Sequence, residues 1–329
     1  MKRLFTVFLT LTAASICGAA VISENFASDP AARGWKTFGN TNFFHWNSTN
    51  QNLEVTWDSS QPNSFFYHPL TNLLTKADDF SFAFDLRLDD LAVGVNPDKP
   101  FTFPLCTGLQ NFGDATKTNF YRGSGNGGSC SNLAEFAFYP DSGYGDTVWT
   151  SFWSTTARLS YNNDSDYTKI SLPFGVAMRI TITYTATNQL IQTSITTNGT
   201  PIGTIKSFKL ATNFTDFRVD TFAVENFSDA GQRPGDQGSL LAHGVVDNFL
   251  ITIPPPPVQN FGGAFSNGQW QAQFLSRTNW NYVLERSQNL ANWAETSVKT
   301  NGNGGTIFLP DTNSPPAGSQ FYRVKAQHL

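Results

Sequence analysis

Phe217-Arg218-Val219-Asp220-Thr221-Phe222-Ala223-Val224 and Gly244-Val245-Val246-Asp247-Asn248-Phe249-Leu250-Ile251-Thr252 are two runs rich in aromatic and β-branched residues. Such side chains fit a pleated, half-buried surface and favour strands. Between them, residues 226–238 form a polar stretch with Gly231, Pro234, Gly235 and Gly238, which reads as a loop. Four prolines follow at 254–257. Consecutive prolines form a stiff, extended spacer. The pattern predicts paired strands that close a large β-domain, then a linker. Asp220 and Asp247 have no partner motif nearby and read as structural polar residues.

Period-2 alternation recurs outward from this stretch. In Phe80-Ser81-Phe82-Ala83-Phe84-Asp85-Leu86-Arg87-Leu88 the apolar residues share one face of a strand. Met178-Arg179-Ile180-Thr181-Ile182-Thr183-Tyr184-Thr185 repeats the pattern, and 190–196 follows after a turn at Thr187-Asn188, predicting a hairpin. Further strands are expected at 53–57, 64–67, 133–139, 147–153 and 157–161, with one helical turn at 70–76. Strands at this spacing without helices predict an all-β, antiparallel jelly-roll sandwich. Beyond the prolines, 269–274, 282–287, 293–298, 306–309 and 321–326 predict a small C-terminal β-sandwich.

Charged residues make up 14% of the 329-residue chain, against about 25% in ordinary globular domains. Its formal charge is −4, and Phe alone accounts for 30 residues. A mildly acidic chain without a basic cluster excludes nucleic acid as the expected partner. Lys2 and Arg3, an apolar stretch at 4–16 and the small residues Gly18, Ala19 and Ala20 read as a secretion signal. No later run is long enough for a membrane span. The expected organisation is a signal peptide at 1–20, a sandwich at 21–253, a linker at 254–258 and a small domain at 259–329. The expected location is outside the cell, in the periplasm or on the cell surface.

Residues 21–253 resemble the concanavalin A-like, LamG-type jelly rolls of secreted bacterial proteins. The resemblance rests on Glu24-Asn25-Phe26, the strand at 79–88, the hairpin at 199–205 and Val246-Asp247-Asn248-Phe249. The tail is similar to a C-terminal module of Verrucomicrobia-type secreted proteins, through Tyr282-Val283-Leu284-Glu285-Arg286-Ser287, Asn289-Leu290-Ala291-Asn292-Trp293 and Phe321-Tyr322-Arg323-Val324. Jelly rolls of this type imply a polysaccharide or cell-surface glycan as partner.

Candidate sites follow from that class. On the strand Leu133-Ala134-Glu135-Phe136-Ala137-Phe138-Tyr139, Glu135 and Tyr139 share the face opposite Phe136 and Phe138. Laminarinase-type hydrolases carry an E-x-D-x-E pattern on such a strand; Glu135 matches its first position, and Ala137 and Tyr139 replace the others. The carboxylate pair that retaining hydrolysis needs is therefore absent from this strand. Trp149 and Trp153 lie four apart and share a strand face. With Tyr139, Tyr144 and Glu135 they form a candidate platform for stacking sugar rings, or else belong to the core. The reading is a non-catalytic carbohydrate-binding or surface-adhesion protein. A hydrolase or lyase using Glu135, Tyr139 and Arg122, and a structural envelope protein, are its alternatives. Cys106 and Cys130 are an expected disulfide in a secreted chain, worth about 3.5 kcal/mol on the chain-entropy model. Asn/Asp-rich clusters at 141–146, 162–166 and 229–236 read as hairpin turns. Structural calcium there is implied only by the lectin-like resemblance, and no other cofactor is expected.

Overall fold

The computed structural model describes residues 19–122, 130–143, 145–155, 168–212, 214–266, 268–313 and 319–328. The chain divides into two compact units between Pro254 and Pro255. The first is built from strands β1 (Ala20–Glu24), β2 (Lys36–Phe38), β3 (Phe44–Asn47), β4 (Asn52–Asp58), β5 (Ser64–Thr75), β6 (Phe80–Val93) and β7 (Leu105–Gln110). A one-turn helix, α1 (Phe112–Ala115), comes next. Then follow β8 (Leu133–Tyr139), β9 (Thr147–Trp153), β10 (Thr168–Lys169), β11 (Met178–Thr185), β12 (Leu190–Thr197), β13 (Thr200–Pro201), β14 (Phe208–Lys209), β15 (Arg218–Asn226) and β16 (Leu240–Ile253).

These strands form two antiparallel sheets packed as a jelly-roll sandwich. One sheet runs β13-β12-β11-β6-β16-β4-β3, with β1 also on β16 and β14 on β12. The other runs β10-β9-β8-β7-β15-β5-β2. Alternation decides which side of each strand is buried. β11 alternates buried and half-buried residues along its whole length, as its period-2 pattern requires. Asn198 and Gly199, both with positive φ, turn β12 into β13. The Asn-Gly pair is the residue choice that a tight hairpin turn favours.

The two runs at 217–224 and 244–252 do not pair with each other. β15 sits between β7 and β5, whereas β16 sits between β6 and β4 in the opposite sheet. They meet through their side chains instead. Phe222 of β15 packs edge-on against Phe249 of β16 at 5.2 Å and against Phe82 of β6 at 5.7 Å. A loop long enough to change sheets separates them, so local pairing is not imposed.

The helical turn expected at 70–76 is also corrected. β5 continues to Thr75, and Leu74 is fully buried opposite Val219. Pro69 has no N–H to give the ladder, and the register shifts just beyond it, jumping from Pro69 to Leu74. The strand expected at 157–161 lies outside the described residues.

Asp220 accepts from the Phe112 amide at 2.9 Å and from Thr221 Oγ1 at 3.0 Å, and so ties α1 to β15. Asp247 lies opposite Asp85 on the nine-stranded sheet. Burial, aided by the charges of Asp85 and Glu24, pushes it up to about 6 despite the bond from the Asn248 amide.

The second unit holds β17 (Val258–Ser266), β18 (Gln269–Ser276), β19 (Trp280–Ser287), β20 (Ala294–Glu295), β21 (Thr300–Asn301), β22 (Thr306–Pro310) and β23 (Phe321–His328). A three-stranded sheet, β17-β18-β22, and a four-stranded sheet centred on β19 form a small sandwich. Ala272, Phe274, Trp280, Tyr282, Leu284, Ile307 and Leu309 form its core. The strand expected at 293–298 shrinks to the two residues of β20, and β17 begins directly after the prolines.

Candidate functional site

β7, β8 and β9 are buried at every position, so both faces of the seven-stranded sheet are covered there. One face meets the sandwich core, where Phe136 packs against Phe84 at 6.0 Å. By strand alternation the outer face presents Cys106, Gly108 and Gln110 from β7, and Glu135, Ala137 and Tyr139 from β8. It continues with Thr147, Trp149, Ser151 and Trp153 from β9, and Thr221, Ala223 and Glu225 from β15.

A segment at 111–122 crosses this outer face as a strap. Phe112 stacks on Tyr67 at 4.4 Å, and Phe120 packs on Phe227 at 6.1 Å. The strap ends at Arg122, which is 1% exposed and spreads its guanidinium over β8 and β9. Its Nε donates to Glu135 Oε1 at 2.5 Å, Nη1 to the Tyr139 hydroxyl at 3.2 Å and Nη2 to Ser151 Oγ at 3.0 Å. The same group lies 5.4 Å from the centre of the Trp153 ring. Tyr139 packs against Trp149 at 5.8 Å. Burial is the largest influence and opposes the charge of Arg122, but Glu135, Tyr139, Cys106 and Cys130 together outweigh it and hold the guanidinium well above its usual range.

The structure thus brings together Arg122, Glu135, Tyr139 and Trp153, with Trp149 one ring away. It does not leave them open. Trp149 and Trp153 are 6% and 7% exposed; Arg122 lies over the Trp153 ring and Tyr139 packs on Trp149. Tyr144 lies outside the described residues.

Glu225 completes the cluster. It is buried on β15, and neither of its oxygens meets a donor among the described residues; Glu135 Oε2 is in the same position. Burial first, then the neighbouring Glu135 charge, push Glu225 well above the ordinary carboxylate range. A proton kept on Glu225 bridges the two carboxyl groups and satisfies an oxygen of each. The second carboxyl missing from β8 is therefore supplied by a strand on the far side of β7. The run ending at Val224 stops one residue short of it. The signal was an acid that shares its strand face with Thr221 and Ala223. Gln110 and Thr147 add to the layer: both are buried, and the Gln110 amide and Thr147 hydroxyl lack partners among the described residues.

The linked state of Glu225 has a signed consequence. Unfolded, it ionises near its ordinary 4.5; folded, it holds its proton well past that. The folded chain binds more protons across that window, so stability falls as pH rises through it. Glu225→Gln removes this slope and raises stability at neutral pH. Urea midpoints of both proteins from about pH 4 to about pH 9 check it, and parallel curves would contradict it.

The expected disulfide is a correction: Cys106 and Cys130 are both buried, and their sulfurs are not bonded to each other. Both sulfurs lie within the field of Arg122, and Cys106 engages Glu135. Burial, then the Glu135 charge, push the Cys106 thiol well up. This suppresses the thiolate that disulfide formation needs.

Among the described residues, no group of three or more His, Cys, Asp or Glu residues is arranged to hold a metal ion. Asp146 accepts from the Asp141 amide at 3.0 Å, and Asp229 pairs with Lys99 at 2.5 Å. The cluster at 162–166 lies outside the described residues. No helix among the described residues is long and apolar enough to cross a membrane.

No protein-family model matches the chain, and no curated protein matches it. Among solved structures, peanut lectin with a nine-residue peptide aligns at 15% identity over 71% of this chain and 98% of its own, with a TM-score of 0.47. Arcelin-5, a lectin-like defence protein from Phaseolus vulgaris, aligns at 10% identity over 73% and 100%, with a TM-score of 0.42. The alginate lyase Aly36B aligns at 12% identity over 70% and 96%, with a TM-score of 0.38. At these values no residue role or activity is carried over from them.

Proposed function

We propose that this is a secreted, non-catalytic carbohydrate-binding or surface-adhesion protein that holds a polysaccharide or cell-surface glycan on the outer face of the seven-stranded sheet. One observation carries the reading. Among the described residues, the Gln110 amide and the Thr147 hydroxyl are buried without partners on one face, beside the Glu225–Glu135 carboxyl pair, Trp149, Trp153 and Tyr139. A purely structural layer needs the Arg122–Glu135 pair but not these atoms, each of which costs about 1–3 kcal/mol unpaired. Sugar hydroxyls both donate and accept, and sugar ring faces stack on aromatic planes. Binding requires the strap to lift Arg122 off Glu135, so the measured affinity carries the fraction of chains in which it has lifted.

A glycan array of the mature chain, run with and without calcium, tests the proposal. Binding to at least one polysaccharide is expected, and silence across the array in both conditions would sink it. A catalytic reading has one observation in its favour: Glu225 keeps a proton beside the Glu135 carboxylate, which is an acid next to a base. Release of reducing ends or unsaturated sugars from the same panel, abolished in Glu225→Gln, would replace binding by hydrolysis or lysis.

A further inference from the structure

We propose that the C-terminal unit carries a saccharide pocket of its own, built on Phe265, Trp270 and Tyr322 with the side-chain amides of Gln269 and Asn313. These residues and Asp311 line a shallow surface depression. Trp270 and Tyr322 stack with centroids 4.0 Å apart and planes 12° from parallel. Phe265 lies directly across the β17–β18 ladder from Trp270 and is 75% exposed. Trp270 can lie over β17 because Gly263 has no side chain: a Cβ there would sit 2.2 Å from its Cζ2.

The platform is held from behind. Asp311 is 3% exposed; its Oδ2 accepts from the Tyr322 hydroxyl at 2.9 Å and from Arg286 Nη1 at 2.6 Å. Its amide donates to the Trp270 carbonyl at 2.8 Å, and its Oδ1 accepts from the Asn313 amide at 3.0 Å. One buried carboxylate therefore fixes both rings and the backbone of Asn313. Such support from behind is what keeps a binding surface in a single geometry.

The lining also selects the ligand class. The exposed Phe265 ring, beside the half-buried Trp270–Tyr322 stack, favours the C–H face of a sugar ring, and the exposed Gln269 and Asn313 amides suit its hydroxyls. Arg286 neutralises Asp311, so the pocket offers no uncompensated charge, and a neutral oligosaccharide fits better than a uronate. The inference does not rest on the outer-face reading, since no residue of the sandwich takes part.

Calorimetric titration of the full chain tests it, with cellohexaose, laminarihexaose and mannohexaose as probes and an oligogalacturonate as the charged comparison. At least one neutral hexaose is expected to bind more tightly than the oligogalacturonate. Phe265→Ala and Asn313→Ala, both at exposed positions, are each expected to weaken it about tenfold. The pocket is overturned if no neutral hexaose binds, if the charged fragment binds tighter, or if both variants bind as the parent does. An affinity lost in Glu225→Gln but kept in both pocket variants assigns the sugar to the sandwich. That result overturns the pocket alone.

Discussion

Replacing Arg122 by methionine lowers the stability of the N-terminal unit by about 3–5 kcal/mol. Arg122 and Glu135 are 1% and 0% exposed and lie 2.5 Å apart, so the pair is fully desolvated. Methionine keeps much of the packing volume but leaves the Glu135 carboxylate facing Glu225 with no compensating cation. Glu135→Gln in that background removes the stranded charge and restores part of the loss, which gives a coupling of about 1 kcal/mol or more. Urea unfolding measures both. Faster hydrogen exchange at 111–122 in the single variant shows that the strap has been released. A loss below about 1 kcal/mol would mean that the ion pair contributes little more than an exposed one.

The second large effect belongs to the core. Phe222→Ala costs the same unit about 3–5 kcal/mol. Phe222 is fully buried and touches Trp35, Phe82 and Phe249, so its ring joins β15 to both central strands of the opposite sheet. Truncation leaves a cavity that three aromatic neighbours cannot collapse into. The C-terminal unit has a separate core, and its unfolding transition is expected to stay in place. A shift of both transitions together would contradict the division of the chain into two cores.

The all-β sandwich was readable from the chain because half-buried strands alternate. β4 and β11 have one wet and one dry face, and their sequences show it. β7, β8 and β9 do not, because their outer face is covered as well. The period-2 pattern says which side chains share a face but not what covers it. Trp149, Trp153, Tyr139 and Glu135 share one side, as alternation requires, but the sequence leaves open whether that side is an exposed platform or part of the core. Glu225 stayed hidden for a related reason: it reaches Glu135 across β7, and sheet order is not written locally. The same ignorance of sheet order made β15 and β16 look like neighbours. Pro69 misled in another way, since it interrupts the ladder of β5 without ending the strand.

The disulfide failed on chemistry rather than pattern. An even cysteine count in a chain with a secretion signal favours a bridge. Cys106 instead lies buried near the start of β7, where burial and then the Glu135 carboxylate keep its proton in place. Composition carries no information about that neighbour.

The central claim is that the outer face of the seven-stranded sheet is the ligand face. Hydrogen–deuterium exchange on the full chain, with and without a saturating amount of the tightest-binding glycan on the array, tests it most directly. The account predicts slowed exchange in β7, β8 and β9 and altered exchange at 111–122. Saturation that leaves those strands unchanged, with protection confined to other elements, would contradict it.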